Sequence, residues 1–293
     1  MRAPAKINLY LHVTGRRADG YHLLDSIMAF ARDASDELET RPDATLRLAL
    51  EGAMARGLSS DADNLVLRAA RLLADSYGVQ RGATFRLVKN LPSGAGLGGG
   101  SADAAAVLIL LNRLWNLHLS VERLAELALA LGADVPVCVR GRAARVTGIG
   151  EKIEPLVLPE LYAVLTHPGT GVDTRAVYHG EQGAGIPPSA EPVEERALRA
   201  ALEDSRKFIA WLALQHNALT PTALKIAPMI GEVLKELEQL PGCRLARMSG
   251  SGSACFALFD HGEKAKKGAE HLAKLRPKWW VAATRVGDAD AVD

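Results

Sequence analysis

PSGAGLGGGSADAAA, residues 92–106, lies between a stretch that alternates like a strand (residues 83–89) and a strongly apolar stretch that reads as a helix (residues 101–114). Glycine has no Cβ, so Gly94, Gly96, Gly98, Gly99 and Gly100 can take positive φ and bring several backbone N–H groups close to a phosphate chain. The helix that follows adds unpaired N–H groups and about half a positive charge at its N-terminus. Together they predict a phosphate cradle. Gly94, Gly96 and Gly99 also satisfy GxGxxG, but a dinucleotide fold wants an acidic residue about 20 positions later at a strand end. Here Glu122 falls inside a helical pattern. A P-loop needs Gly-Lys-Ser/Thr at its end, and no lysine follows these glycines. The plain alternative is a flexible surface loop or a tight packing turn.

Around this loop the chain has ordinary enzyme chemistry. Its 293 residues suit two domains of unequal character, with one large α/β unit as the alternative. A net charge of +1 leaves no broad electrostatic footprint for nucleic acid or a membrane, so any anion site is local. Cys138, Cys243 and Cys255 have no CxxC spacing and read as reduced thiols of a cytoplasmic protein. MRAPAKINLYLHV places charges among its apolar residues and does not read as a secretory signal. The apolar AAAVLILL ends at Asn112 and Arg113, short of the roughly 20 residues of a membrane span, and belongs in a core.

Periodicity predicts strands over residues 5–13 and 21–30, with GRRADG (15–20) as the hairpin turn, and a third strand at ATLRLAL. An amphipathic helix follows over 64–77, with Asp61 or Asp63 as its N-cap, and Ser120 caps another that stops at Gly132. LYAVLTHPG (161–169) reads as a strand and turn, TRAVYHG (174–180) as a short helix, and GEQGAGIPPSAEPVEE (180–195) as a solvated loop. Helical patterns run over 194–214 and 222–240. RLARMSGSGSACFALF (244–259) reads as strand, glycine turn, strand; a helix (263–275), a strand (279–286) and a frayed tail, GDADAVD, close the chain. The mixture predicts an α+β second half with an antiparallel sheet.

PSGAGLGGGSADAAA resembles the phosphate-binding motif of the GHMP kinases, the superfamily of galactokinase, homoserine kinase and mevalonate kinase. PAKINLYLHVTGRRADGYHLLDSI (4–27) and LGADVPVCVRG (131–141) resemble one branch of it, whose substrate is a cytidine diphosphate ester of a sugar alcohol. SGSGSACFAL (249–258) resembles the superfamily's third motif, so the resemblance covers most of the chain in order. It implies a two-domain α+β fold: residues 1–156 like the second domain of ribosomal protein S5, residues 157–293 a ferredoxin-like α/β sandwich. It also implies ATP and Mg²⁺, transfer to the 2-hydroxyl of the sugar alcohol in non-mevalonate isoprenoid synthesis, and a small-molecule partner rather than nucleic acid or membrane. The expected enzyme is cytoplasmic, a monomer or weak homodimer, with metal ligands left open.

Asp134, just past the Gly132 helix stop, reads either as a turn aspartate bonded to nearby N–H groups or as the carboxylate that activates a hydroxyl. Lys6, in an otherwise apolar strand, either points to water or reaches a carboxylate or phosphate, and Asn8 shares its face by the period of two. The resemblance makes Lys6 and Asp134 the catalytic pair and gives Asn8 to the substrate. It places nucleotide contacts on Asn64 and on Pro92, Ser93, Gly94, Ala95, Gly96, Leu97, Gly98, Gly99, Gly100, Ser101 and Ala102. Asn64 also reads as a helix-start residue, and Ser101 as an N-cap or a phosphate or Mg²⁺ contact. Tyr21 and His22 suit a bland hairpin or a pyrimidine, the ring stacking on Tyr21 and its edge bonding to His22. The resemblance makes Tyr178 the other half of that sandwich. The turn at residues 249–253 reads as a hairpin turn or as a substrate-phosphate contact. One departure stands out: His216, Asn217, Ala218 and Leu219 occupy a segment where the family carries Asn-Asp, which puts any role for it in doubt. Two other readings are a different small-alcohol kinase of the superfamily, which would not need Tyr21 and His22, and a sensor that binds nucleotide without transfer. Intact Lys6 and Asp134 argue against the second.

Overall fold

The computed structural model describes residues 1–180, 186–188 and 190–289. The N-terminal strand β1 (Arg2–Arg16) pairs antiparallel with β2 (His22–Asp43), which runs well past the expected end at Phe30. The reason is chemical. Residues 31–43 read as a polar loop because Asp33, Asp36 and Glu37 interrupt the apolar pattern, yet Ser35 and Asp36 are buried, with Asp36 held by a charged partner across the sheet. This length lets β2 pair in turn with β1, with β5 (Ala144–Gly148), with β4 (Gly82–Val88) and with β10 (Trp280–Gly287). With β3 (Leu46–Glu51), β6 (Lys152–Pro155), β7 (Leu161–His167), β8 (Leu245–Met248) and β9 (Cys255–Phe259), these form one 10-stranded sheet. Its main path is β3-β4-β2-β10-β7-β9-β8, so hydrogen bonding continues across the expected boundary at 156/157.

The α+β class holds. Helices α1 (Leu65–Tyr77), α2 (Gly99–Leu114), α3 (Val121–Ala128) and α4 (Val135–Arg140) build one apolar core on the first half of the sheet. α2 carries alanines on several faces because it is enclosed, with Ala104, Ala105 and Ala106 all buried. In the second half, α9 (Met229–Glu238) and α10 (Gly262–Leu275) pack against β7 and β9. α5 (Thr174–His179) follows β7, and the long helical patterns are each broken in two. The side chain of Asp204 accepts from Lys207 N and starts α7 (Ser205–Ala213) after α6 (Glu195–Ala201). Pro228, which has no N–H, separates α8 (Thr220–Ile226) from α9.

Three smaller expectations are corrected. Asn64 itself, not Asp61 or Asp63, caps α1. In the loop at 180–195, part of which lies outside the described residues, Ile186 is buried and Val193 N donates to Asp25. The tail is docked as far as Ala289: Asp288 accepts from Ala143 N, and Ala289 N donates to Gly141 O. Residues 290–293 lie outside the described residues.

Candidate active site

A cavity of about 530 Å³ opens between the two halves, and the glycine loop forms one wall of it. Gly94, Gly96 and Gly98 have φ of 64°, 75° and 63°, the left-handed region that favours glycine. A Cβ on Gly96 would stand 2.3 Å from Ser249 O, because the loop lies directly against the third-motif turn. The two are stitched by Ala254 N to Ala95 O and by Ser249 Oγ, which donates to Gly96 O and accepts from Asn8 N. α2 starts at Gly99 with Gly98 as a left-handed cap and no side-chain cap bond. Ser101 is therefore inside the first turn rather than at the N-cap. It lines the cavity.

β1 delivers Lys6 and Asn8 to the floor. Lys6 is almost fully buried, and its Nζ lies 2.8 Å from Asp134 Oδ2 and 2.8 Å from Asn8 Oδ1. Asn8 Nδ2 donates to Ser26 Oγ. The two share a face as the period of two requires; a bulge between Asn8 and Tyr10 then turns Leu11 toward the cavity and Tyr10 away from it. Asp134 precedes α4 with αR dihedrals and makes no capping bond. Its carboxylate, about one-third exposed, is aimed at Lys6 instead. The reading as a self-bonded turn aspartate is thus excluded.

Beneath the loop lies a charged group that the sequence did not disclose. Lys89 Nζ bonds both Asp36 and Asp103, the latter at 2.6 Å, and all three are buried. Asp36 Oδ1 also accepts from Asn90 N and Leu91 N, whereas Asp103 Oδ1 has no partner. Burial opposes the charge on Lys89, but its two carboxylates outweigh that and hold the ammonium above the ordinary lysine range. Burial, opposed by the charge of Lys89 and reinforced by Asp36, pushes the Asp103 carboxyl up to about 7.

Pro92 through Ser101 all line the cavity, as does Asn64. Asn64 also has structural work: its Oδ1 accepts from Val66 N and its Nδ2 donates to Ser59 O. Ala102 does not join them; helical geometry turns it to the other side of α2. At the far end, Tyr178 lines the cavity, and burial, then the charge of Asp134, pushes its phenol above the ordinary range. His22 lies 5.5 Å from Tyr178 between ring centroids, and its Nε2 accepts from Ile186 N, which leaves the proton on Nδ1. Tyr21 stays outside the cavity wall, 62% exposed. A further residue missed in the sequence is Asn217. Its Nδ2 donates to Met248 O and Gly250 O and its Oδ1 accepts from Leu219 N, so it shapes the third-motif turn. Ala218 beside it packs into an apolar core, where an acidic side chain would be unpaired.

Residues 64–142 match the family described as GHMP kinases N terminal domain, and residues 196–277 the GHMP kinases C terminal family. The 4-diphosphocytidyl-2-C-methyl-D-erythritol kinase of Paramagnetospirillum magneticum is 44% identical over 290 residues, which cover 98% of each chain. The enzyme of the same name from Granulibacter bethesdensis is 47% identical over 92% of this chain and 88% of its own. A crystal structure of 4-(cytidine 5'-diphospho)-2C-methyl-D-erythritol kinase superposes with a TM-score of 0.78 at 35% identity, covering 99% of both chains. By sequence along its whole length and by fold, the chain belongs to the 4-diphosphocytidyl-2-C-methyl-D-erythritol kinase family of the GHMP kinases.

Proposed function

We propose that this chain transfers the γ-phosphate of ATP to the 2-hydroxyl of 4-diphosphocytidyl-2-C-methyl-D-erythritol, giving the 2-phosphate and ADP in isoprenoid precursor synthesis. The observation that carries the reading is the Lys6–Asp134 pair, 2.8 Å apart on the floor of a cavity walled by positive-φ glycines. The hydroxyl oxygen attacks the γ-phosphorus as the bond to the β–γ bridging oxygen breaks, and the hydroxyl proton passes to Asp134. Lys6 offsets charge that builds on the transferring group. Asn8 has its carbonyl committed to Lys6 and one amide hydrogen to Ser26, which leaves one N–H for the substrate. Its main task is to aim Lys6.

The glycine loop from Pro92 to Ser101 holds the triphosphate through backbone N–H groups, with Asn64 at the adenine end. The loop fits that role because the space beside Gly94 is open: a Cβ there would meet nothing within 4 Å. Mg²⁺, when bound, neutralises phosphate charge. Among the described residues no group of three or more His, Cys, Asp or Glu could hold a metal; Ser101, which lines the cavity, would be placed to contact the ion. The cytosine ring lies against Tyr178, with His22 Nδ1–H as an edge donor. Tyr21 supplies the opposite face, its exposed ring gaining a partner only when a base is bound.

Residues 1–156 and 157–293 form the two domains of this reading, and the enzyme works in the cytoplasm; no helix among the described residues is long and apolar enough to cross a membrane. Steady-state turnover of the cytidine diphosphate ester against bare methylerythritol phosphate tests the substrate. Strong preference for the nucleotide ester is expected, and equal turnover of both would overturn the assignment.

A further inference from the structure

The make-up of the cavity floor depends on an irregularity in β1. Asn8 pairs with Met28 and Tyr10 with Ile27, which leaves Leu9 without a partner on β2. Without this bulge the period of two would carry Lys6, Asn8 and Tyr10 on one face. With it, Ile7, Leu9 and Tyr10 all enter one apolar core, and Tyr10 Oη donates to Asp25 Oδ1 at 2.6 Å. Leu11 then joins Lys6 and Asn8 at the cavity. One strand thus lines it with two polar side chains followed by an apolar one.

A bulge also takes backbone groups out of the ladder, and these need partners elsewhere. Asn8 N donates to Ser249 Oγ at 3.2 Å, and Leu9 O accepts from Arg247 Nη1 at 2.7 Å. Arg247 lies on β8, 238 residues further along the chain. Its Nη2 donates to Leu212 O at 2.8 Å and to Gln215 O at 2.7 Å, at the C-terminal end of α7 and just past it. The guanidinium is buried, and among the described residues no carboxylate pairs with it; three backbone carbonyls, two of them at a helix C-terminus, face its charge. Burial lowers it to about 10, which leaves it charged at neutral pH. Packing alone would be served at less cost by an apolar side chain. What the arginine adds is a rigid fork between β1 and the end of α7.

We infer that Arg247 is a positioning residue of the phosphoryl transfer, an inference that rests on the kinase reading above: its guanidinium holds the β1 bulge so that Lys6 and Asn8 meet Asp134 and Leu11 takes the next place in the cavity wall. Arg247 is not itself among the residues that line the cavity, so it acts from behind the floor through Leu9 O. The glycine loop is fastened separately, by Ser249 Oγ to Gly96 O and by Ala254 N to Ala95 O. Loss of the fork therefore moves the reacting groups and leaves the triphosphate cradle in place.

The test is steady-state turnover of the cytidine diphosphate ester by the wild-type chain, Arg247→Met and Arg247→Lys, with active sites counted by calorimetric titration with a non-hydrolysable ATP analogue. In Arg247→Met, kcat per site should fall by about tenfold to a hundredfold, the effect of a small misplacement of reacting groups, with KM for ATP nearly unchanged. Where that variant does not fold, Arg247→Lys gives the same reading, because one ammonium nitrogen in place of a two-pronged fork does not span β1 and α7. Asn8→Ala combined with Arg247→Lys should be little slower than Asn8→Ala alone, since both changes disturb the same strand. Variants that lose stability while kcat per site stays at the wild-type value, or losses that multiply in the double variant, would overturn the inference and leave Arg247 a packing residue. Absence of turnover by the wild-type chain would instead remove the kinase reading, so the two fail separately.

Discussion

Two lysines flank the glycine loop, and their surroundings differ in one respect that sets their tasks apart. Lys6 faces a single carboxylate that is one-third open to solvent, whereas Lys89 is sealed between two carboxylates that are not. Adjacent glycines mark the division. A Cβ on Gly98 would stand 3.0 Å from Lys6 Cε; one on Gly99 would stand 3.5 Å from Asp36 and 3.6 Å from Lys89 Nζ. A charged pair with one wet partner can exchange that partner's contacts for a substrate's. A charged triad without water cannot, and breaking it leaves a buried charge uncompensated. The open pair is therefore suited to chemistry and the closed one to holding the loop in place.

Asp134→Asn should separate the two most sharply, lowering kcat by about 10²- to 10⁴-fold with ATP affinity nearly unchanged. Retention of near-normal kcat would remove Asp134 from the reaction. Next in size, Lys89→Met should cost about 3–5 kcal/mol in chemical denaturation, since Asp36 and Asp103 lose the one cation that pairs with them among the described residues. Lys6→Met should cost about 1 kcal/mol or less, because water can solvate Asp134. Similar losses at the two lysines would erase the distinction. Gly98→Ala acts between them: a left-handed φ of 63° strains any side chain by about 1–2 kcal/mol, and the methyl presses on Lys6, so KM for ATP should rise about tenfold.

The smallest effect is a slope with pH. Asp103 titrates near 7 in the fold, above its ordinary 3.8, so the folded chain binds the extra proton more tightly than the unfolded one. That stability is complete below about pH 4 and is lost as pH rises through about 7. Asp103→Asn should flatten this part of the urea-midpoint profile between pH 4 and 7.5, and an unchanged slope would assign it elsewhere.

The open pair was legible through the family resemblance, since the residues alone left Lys6 free to point to water and Asp134 to bond its own turn, but the signals that carried the resemblance are local. A lysine in an apolar strand, an aspartate after a helix stop and a run of glycines each stand out within a dozen residues. The closed triad was not. Lys89 meets Asp36 across 53 residues of chain, and the polarity of Asp36 made its own strand read as a loop. Asn217 was hidden for the same reason, since its partners Met248 and Gly250 lie about thirty residues further on. Breaks within the helical patterns were missed because periodicity continues through Asp204 and Pro228, and only the cap and the missing N–H end the helices there.

The order of strands has a consequence for how the chain is made. β10, the last strand among the described residues, lies in the middle of the sheet between β2 and β7. Until it leaves the ribosome, β2 and β7 present unpaired edges to whatever is nearby, and the halves on either side have no common ladder. A nascent chain stalled before Trp280 would therefore lack this keystone and expose the edges that a chaperone recognises.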